Sequence, residues 1–197
     1  MKVAVVDSGG ANIGSVMFAL QRLGVQGELT REHSTIRAAD RVILPGVGAA
    51  ADAMVRLGKC ELDKLIPTLT QPVLGICLGM QLLFEHSAEG NVDCMGVFAG
   101  QVQPMRADLG LPVPHMGWNT ISPLRDLPLL EGVAGQYFYF VHGFAVCTSL
   151  DAAAQCDYGQ DFVSVAARDN FCATQFHPER SAAAGARLLS NFLGVRM

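Results

Sequence analysis

Pro72-Val-Leu-Gly-Ile-Cys-Leu-Gly79 is the stretch that decides how this chain folds. Val73 to Ile76 is an uncharged apolar run, the pattern of a strand buried on both faces. From Cys77 to about Glu85 the sequence reads as a helix, so strand passes directly into helix. Gly75 and Gly79 flank the cysteine and permit the tight turn that such a junction demands. The same alternation runs upstream. Val3-Ala-Val-Val6 is a strand ended by Asp7-Ser-Gly-Gly10. Asn12 is placed to cap a helix with Ile13, Val16, Met17 and Leu20 as its apolar stripe, and Gly24 stops it. Further strands are expected near Val25 to Thr30 and over Arg41 to Pro45, with helices from Gly48 to about Leu57 and from Leu62 to Leu69. Apolar strands alternating with helices predict a parallel sheet covered on both sides.

The second half differs. Between about Val97 and Gln175 helical periodicity is weak and short strand-like runs dominate: Val113 to Ile121, Tyr137 to Val146, Phe162 to Ala167 and Phe171 to Gln175. They are expected as antiparallel additions to the same sheet. Ser181 then caps a last helix with Leu188, Leu189, Phe192 and Leu193 on one face. With no internal repeat and no linker-like segment, residues 1–197 are expected to form one α/β domain. Its architecture is an open mixed sheet, with a parallel core flanked by helices and antiparallel strands added.

Composition excludes several classes. Half of the 197 residues are hydrophobic and 16% charged, which rules out disorder. A net charge of −4 without a basic cluster disfavours nucleic acid and polybasic membrane contact. Leu65 to Phe84 lacks formal charge, but prolines, glycines and polar amides interrupt it, so it is no membrane helix. The first apolar run ends at Asp7, too short for a signal peptide, and a cytoplasmic location is expected. The six cysteines include no Cys-x-x-Cys pair and no histidine at finger spacing, so neither a metal nor a disulfide framework is expected. Most of these thiols read as small core residues. Gly9-Gly-Ala-Asn-Ile-Gly14, with Glu28 beyond it, imitates a dinucleotide fingerprint, but every doubly wound domain needs a tight first turn. No cofactor is expected.

Cys77 is different. A strand-to-helix elbow pushes its side chain above the sheet edge, and helix N–H groups beneath favour thiolate; such placement brings a cysteine pKa down to roughly 3.5–7.5. The elbow alone fits a buried structural thiol equally well. Phe176-His-Pro-Glu-Arg180 shifts the balance. Pro178 keeps His177 out of the helical region, so the segment is expected to be extended, with His177 and Glu179 on one side. It follows a strand, which places it at the sheet edge where open α/β folds bind ligands. Cys77, His177 and Glu179 then suit a nucleophile, a base and the group that orients the base.

Gly75-Ile-Cys-Leu-Gly-Met-Gln81 with His177-Pro-Glu179 closely resembles the class I (triad) glutamine amidotransferases, whose domain is flavodoxin-like. The resemblance implies that Cys77 attacks the glutamine carboxamide, releases ammonia and leaves a glutamyl thioester for water. It implies an oxyanion hole from the N–H groups of Leu78 and Val47, the latter in Pro45-Gly-Val-Gly48 and able to reorient between its glycines. Gly46, Gln81, Glu89 and backbone groups of Gly143 and Phe144 are the implied substrate contacts. Pro114-His-Met-Gly-Trp-Asn119, Tyr139-Phe-Val-His-Gly143 and Gln175-Phe-His-Pro-Glu-Arg-Ser181 are similar, more narrowly, to the glutaminase subunits of imidazole glycerol phosphate synthases in histidine biosynthesis. That implies a heterodimer with a (β/α)₈-barrel cyclase that makes imidazole glycerol phosphate and AICAR. Asn12, His115, Trp118, Asn119, Tyr139, His142 and Arg180 would lie at the partner face. Ser8, Ala11, Gly143 and Phe144 depart from the usual pattern, which leaves open a paralogue with another acceptor. Other readings are a thiol hydrolase or redox chaperone, a subunit with a vestigial triad, and the glutaminase of pyridoxal phosphate synthase, against which Pro114 to Asn119 argues.

Overall fold

The computed structural model describes residues 1–9, 13–106 and 110–195. The expected cap at Asn12, and its expected place at a partner face, lie outside the described residues. In chain order the first half comprises β1 (Val3–Val6), α1 (Ile13–Arg22), β2 (Gly27–Thr30), α2 (His33–Arg37), β3 (Arg41–Gly46), α3 (Ala50–Lys59), α4 (Leu62–Leu65), β4 (Val73–Cys77) and α5 (Leu78–Gln81). The second half comprises β5 (His86–Ser87), β6 (Val92–Asp93), β7 (Gln101–Pro104), β8 (His115–Thr120), β9 (Ser122–Pro123), β10 (Tyr137–His142), β11 (Phe144–Ala145), β12 (Ala152–Asp157), β13 (Asp161–Arg168), β14 (Phe171–Thr174) and α6 (Ala182–Leu193).

The main sheet has the order β2-β1-β3-β4-β14-β13-β12-β9. Its first five strands are parallel and the last three are added antiparallel. Strand alternation divides the core. Val3 and Val5 of β1 face one apolar cluster with α1 and α6, while Ala4 and Val6 face the other with α2 to α5. All five residues of β4 are buried, as its uninterrupted apolar run requires.

Four expectations need correction. Phe171 to Gln175 was expected to be antiparallel; β14 is antiparallel to β13 but parallel to β4, and sits in the middle of the sheet. The hairpin turn at Asp169 and Asn170 fixes the first relation, and the direction of β13 then fixes the second. The runs containing β8 and β10 do not join the main sheet: they pair with each other as a separate two-stranded ribbon. A further small sheet, β11-β7-β5-β6, lies beside it. The helix expected from Cys77 to Glu85 is a single turn. Leu82, Leu83 and Phe84 are all fully buried, and three consecutive apolar residues cannot share one face of an amphipathic helix. Bonds from Leu83 N–H to Met80 O and Phe84 N–H to Gln81 O close the turn and bury all three. Among the described residues, no helix is long and apolar enough to cross a membrane.

Candidate active site

The turn after β4 is built by close backbone contact. A Cβ on Gly79 would overlap the Leu44 carbonyl oxygen of β3, and one on Gly46 would lie 2.7 Å from Gly79 N. Only glycine lets β3 and α5 approach so closely. The register pairs Gly46 with Cys77, which brings the Pro45-Gly-Val-Gly48 turn beside the sulfur. Cys77 itself adopts φ 54° and ψ −110°, outside the regions that L-residues favour, so the backbone stores strain at this cysteine. Ser8 steadies the neighbouring turn: its buried hydroxyl donates to Pro45 O at 3.0 Å, and Arg56 Nε donates to Ser8 O at 2.8 Å.

His177 and Glu179 meet, though not along an extended segment. His177 is extended, while Pro178–Arg180 forms a 3₁₀ turn with Pro178 at its first position, where a missing N–H costs nothing. The turn swings Glu179 back so that Oε1 lies 2.8 Å from His177 Nδ1. His177 also hydrogen-bonds the Cys77 side chain. Burial opposes the imidazolium, but hydrogen bonds to Cys77 and Glu179 and the charges of both outweigh it, and the His177 pKa is pushed up to about 10. Ser181, expected as a helix cap, caps nothing through its side chain. Its hydroxyl instead donates to His177 O at 2.6 Å and accepts from Tyr139 N–H at 2.9 Å, while His177 N–H donates to Tyr139 O at 2.9 Å. The histidine is thereby stitched to β10.

A cavity of about 380 Å³ opens over the sulfur, lined by Val47, Gly48, Leu78, Gln81, Glu89, Pro114, Val141, His142, Gly143, Phe144 and His177. A larger concavity of about 640 Å³ lies at the opposite ends of β1 and β2; it has neither cysteine nor histidine, so size does not mark the reactive site. Gln81 faces the cavity, but its Nε2 donates to Phe144 O at 2.9 Å and to Gln175 Oε1 at 3.0 Å. Both amide hydrogens are engaged, so only its carbonyl oxygen is left to accept from a ligand. Glu89 Oε2 accepts from Ala50 N–H at the start of α3, which leaves its other oxygen for the cavity. Gly143 O accepts from Met105 N–H. The carbonyls of Gly143 and Phe144 are thus turned to protein donors, and their amide N–H groups are the ones suited to a carboxylate.

The ribbon separates the residues expected at a partner face. Period-two alternation puts Trp118 and Tyr139, an edge-to-face pair 6.0 Å apart, on the outer side. Trp118 is 52% exposed. Trp118 and Arg180 line one groove of about 350 Å³ with Ala19, Arg22 and Leu23. His115 and His142 are paired across the strands but buried on the inner side, which corrects their expected place at the surface. His115 stacks between Phe140 and Tyr158. His142 Nδ1 donates to Phe144 O at 3.0 Å, so its Nε2 must accept the 3.2 Å bond from His115 Nδ1. Burial drives both pKa values down, to about 3 for His142 and about 4 for His115, so both rings are neutral. Asn119 is also turned to the protein, with Nδ2 on Asp157 O and Oδ1 on Thr120 N–H. The sequence reading missed exposed Met116 and Tyr137 on the outer side, although alternation from Trp118 would have found them. It also gave Gln175 no role, although that side chain reaches the Cys77 sulfur. Among the described residues, no cluster of histidine, cysteine and carboxylate side chains could hold a metal.

A strained cysteine, a buried histidine and a carboxylate thus meet at the carboxyl edge of a parallel sheet on an α/β scaffold. Residues 4–195 match the family model for glutamine amidotransferase class-I, and the chain belongs to that family. It is 52% identical over 192 residues to the imidazole glycerol phosphate synthase subunit HisH of Xanthomonas campestris, covering 97% of this chain and 96% of that protein. It is also 52% identical over 200 residues to the HisH subunit of Photorhabdus laumondii, covering 98% and 99%. Two solved structures share the fold: a glutamine amidotransferase at TM-score 0.76 and 16% identity, covering 98% of this chain and 97% of that one, and PurLQS from Thermotoga maritima at TM-score 0.74 and 16% identity, covering 98% and 97%.

Proposed function

We propose that this chain is the glutaminase subunit of an imidazole glycerol phosphate synthase, and that it supplies ammonia to a separate (β/α)₈-barrel cyclase. The observation that carries the reading is 52% identity over 97% of the chain to a protein named as that synthase's subunit HisH, in a molecule where Cys77, His177 and Glu179 are within bonding reach.

Glutamine enters the cavity with its carboxamide over the sulfur. The Cys77 sulfur attacks the amide carbon, and the developing oxyanion is met by N–H groups of Leu78 and Val47. As the C–N bond breaks, His177 gives its proton to the departing nitrogen, and ammonia leaves the glutamyl thioester. His177, now neutral, takes a proton from water as that water attacks the thioester, and glutamate and the thiolate are released. Glu179 holds the ring through Nδ1 and stabilises its cationic form. Gln81 and the free oxygen of Glu89 accept from substrate N–H groups. The outer ribbon residues Trp118 and Tyr139, with Arg180, are the proposed docking face; an aromatic with a polar tip suits an interface anchor.

The test is co-purification with a candidate cyclase, followed by glutamate release with and without the cyclase's nucleotide ligand. The isolated subunit should hydrolyse glutamine slowly, and the liganded complex should be faster by orders of magnitude. Fast hydrolysis by the subunit alone would refute control by the partner.

A further inference from the structure

We propose that Gln175 is a catalytic residue of this chain, its side-chain amide N–H donating to the Cys77 sulfur and holding the charge that gathers there. This rests on Cys77 being the nucleophile of the proposed reaction.

The parallel register pairs Thr174 of β14 with Ile76 of β4, so the next residue along each strand, Gln175 and Cys77, stand side by side. Gln175 is 1% exposed, and its Nε2 lies 3.8 Å from Cys77 Sγ, within reach for a hydrogen bond to sulfur. The amide can point only one way. Phe144 O is a backbone carbonyl and can only accept, so Gln81 must present its NH₂ there, at 2.9 Å. The second hydrogen of the same nitrogen goes to Gln175, at 3.0 Å, so Gln175 must present Oε1 to Gln81 and Nε2 to the sulfur. Reversing Gln175 would set an NH₂ against an NH₂ and an oxygen against a thiolate. Gln81 is therefore a positioning residue for Gln175 as well as a wall of the cavity.

The sulfur needs such a donor because α5 is one turn long, too short for much of a macrodipole. The sulfur faces His177 on one side, the Gln175 amide on another and the Val141 carbonyl oxygen at 3.9 Å; when it is a thiolate, only the first two can donate to it. His177 must give up its proton to the departing nitrogen. Gln175 cannot lose its own, so it stays a donor when the thiolate is regenerated.

The experiment follows Cys77 alkylation by iodoacetamide as a function of pH in the full chain and in Gln175→Met, which keeps the length of the side chain and removes the donor. The variant should alkylate about 10- to 100-fold more slowly near pH 7, the worth of a hydrogen bond to a charged group. Its rate should rise toward the parent's at higher pH, and glutamine hydrolysis should lose kcat rather than gain KM. Gln81→Leu should show the same displacement, smaller. A folded Gln175→Met with the parent's alkylation profile overturns the proposal. Should that variant not fold, the side-chain ¹⁵N resonance of Gln175 in the parent and in Cys77→Ala decides: it should move as the parent's sulfur titrates and stay fixed in the variant, and a signal indifferent to the sulfur overturns the proposal. Alkylation needs no glutamine, so failure of the proposed hydrolysis in the parent would appear separately, as loss of glutamate release beside an intact profile.

Discussion

The elbow after β4 and the ribbon of β8 and β10 both wall the cavity, yet they are made in opposite ways. At the elbow three glycines bring main chain against main chain, and Cys77 is forced to a positive φ. No side-chain choice is left open there. The ribbon is ordinary antiparallel pairing whose two sides carry different work. Its inner side holds neutral His115 and His142 among Phe138, Phe140 and Phe162, while its outer side leaves Met116, Trp118 and Tyr137 in solvent. The proposed chemistry falls where the backbone has no freedom, and the exposed aromatics sit where single side chains can change at little cost to the fold.

The sharpest way to break this contrast is at the nucleophile. Cys77→Ala should lower glutamate release by about 10⁶-fold, the scale of losing a covalent nucleophile, while ammonia-dependent synthesis by the complex persists. Loss of both would deny the division of labour. Gly79→Ala comes next: with its Cβ on the Leu44 carbonyl, it should cost more than about 4 kcal/mol in denaturant unfolding, and a loss under 1 kcal/mol would show the elbow to be soft. On the ribbon's outer side, Trp118→Ala should leave unfolding within about 0.5 kcal/mol of the parent and weaken the cyclase complex by roughly 2 kcal/mol, near 30-fold in calorimetric Kd. Unchanged affinity would remove Trp118 from the docking face.

The last effect belongs to the inner side and depends on pH. An unfolded histidine binds its proton near pH 6.5, whereas folded His115 and His142 refuse theirs until about 4 and about 3. The unfolded chain therefore holds more protons between those values, and stability is full above pH 6.5 and falls as the pH drops toward 4. His177 has the opposite sign: its raised pKa supports the folded chain below 6.5, and that support goes as pH rises through about 10. Tm followed from pH 7 to 4.5 should decline, and less steeply in His115→Phe, which keeps the stack without titrating. An equal decline in both proteins would assign the effect to other groups.

The parallel half was legible because each of its elements is local. β4 announces itself by an unbroken apolar run and the elbow by its glycines; Cys77, His177 and Glu179 could be picked out as candidates, although the extended segment expected to align the last two is a 3₁₀ turn. What escaped was relational. Residues 82–84 are apolar in a row, which suits a buried turn as well as a helix, and only packing decides between them. The direction of β14 against β4 depends on β13, far along the chain from β4. His115 and Trp118 stand three apart in one quoted motif and face opposite ways, because in a strand odd spacing means opposite sides. Gln175 was hidden similarly: nothing near it in sequence says that its neighbour across the sheet is Cys77.

Tyr139 closes one more circuit. Its ring lies outside, against Trp118, while its own peptide N–H and C=O are the groups that grip Ser181 and His177. One residue thus spans the ribbon, its side chain on the outer wall and its peptide groups bonded to the backbone that carries the His177 ring.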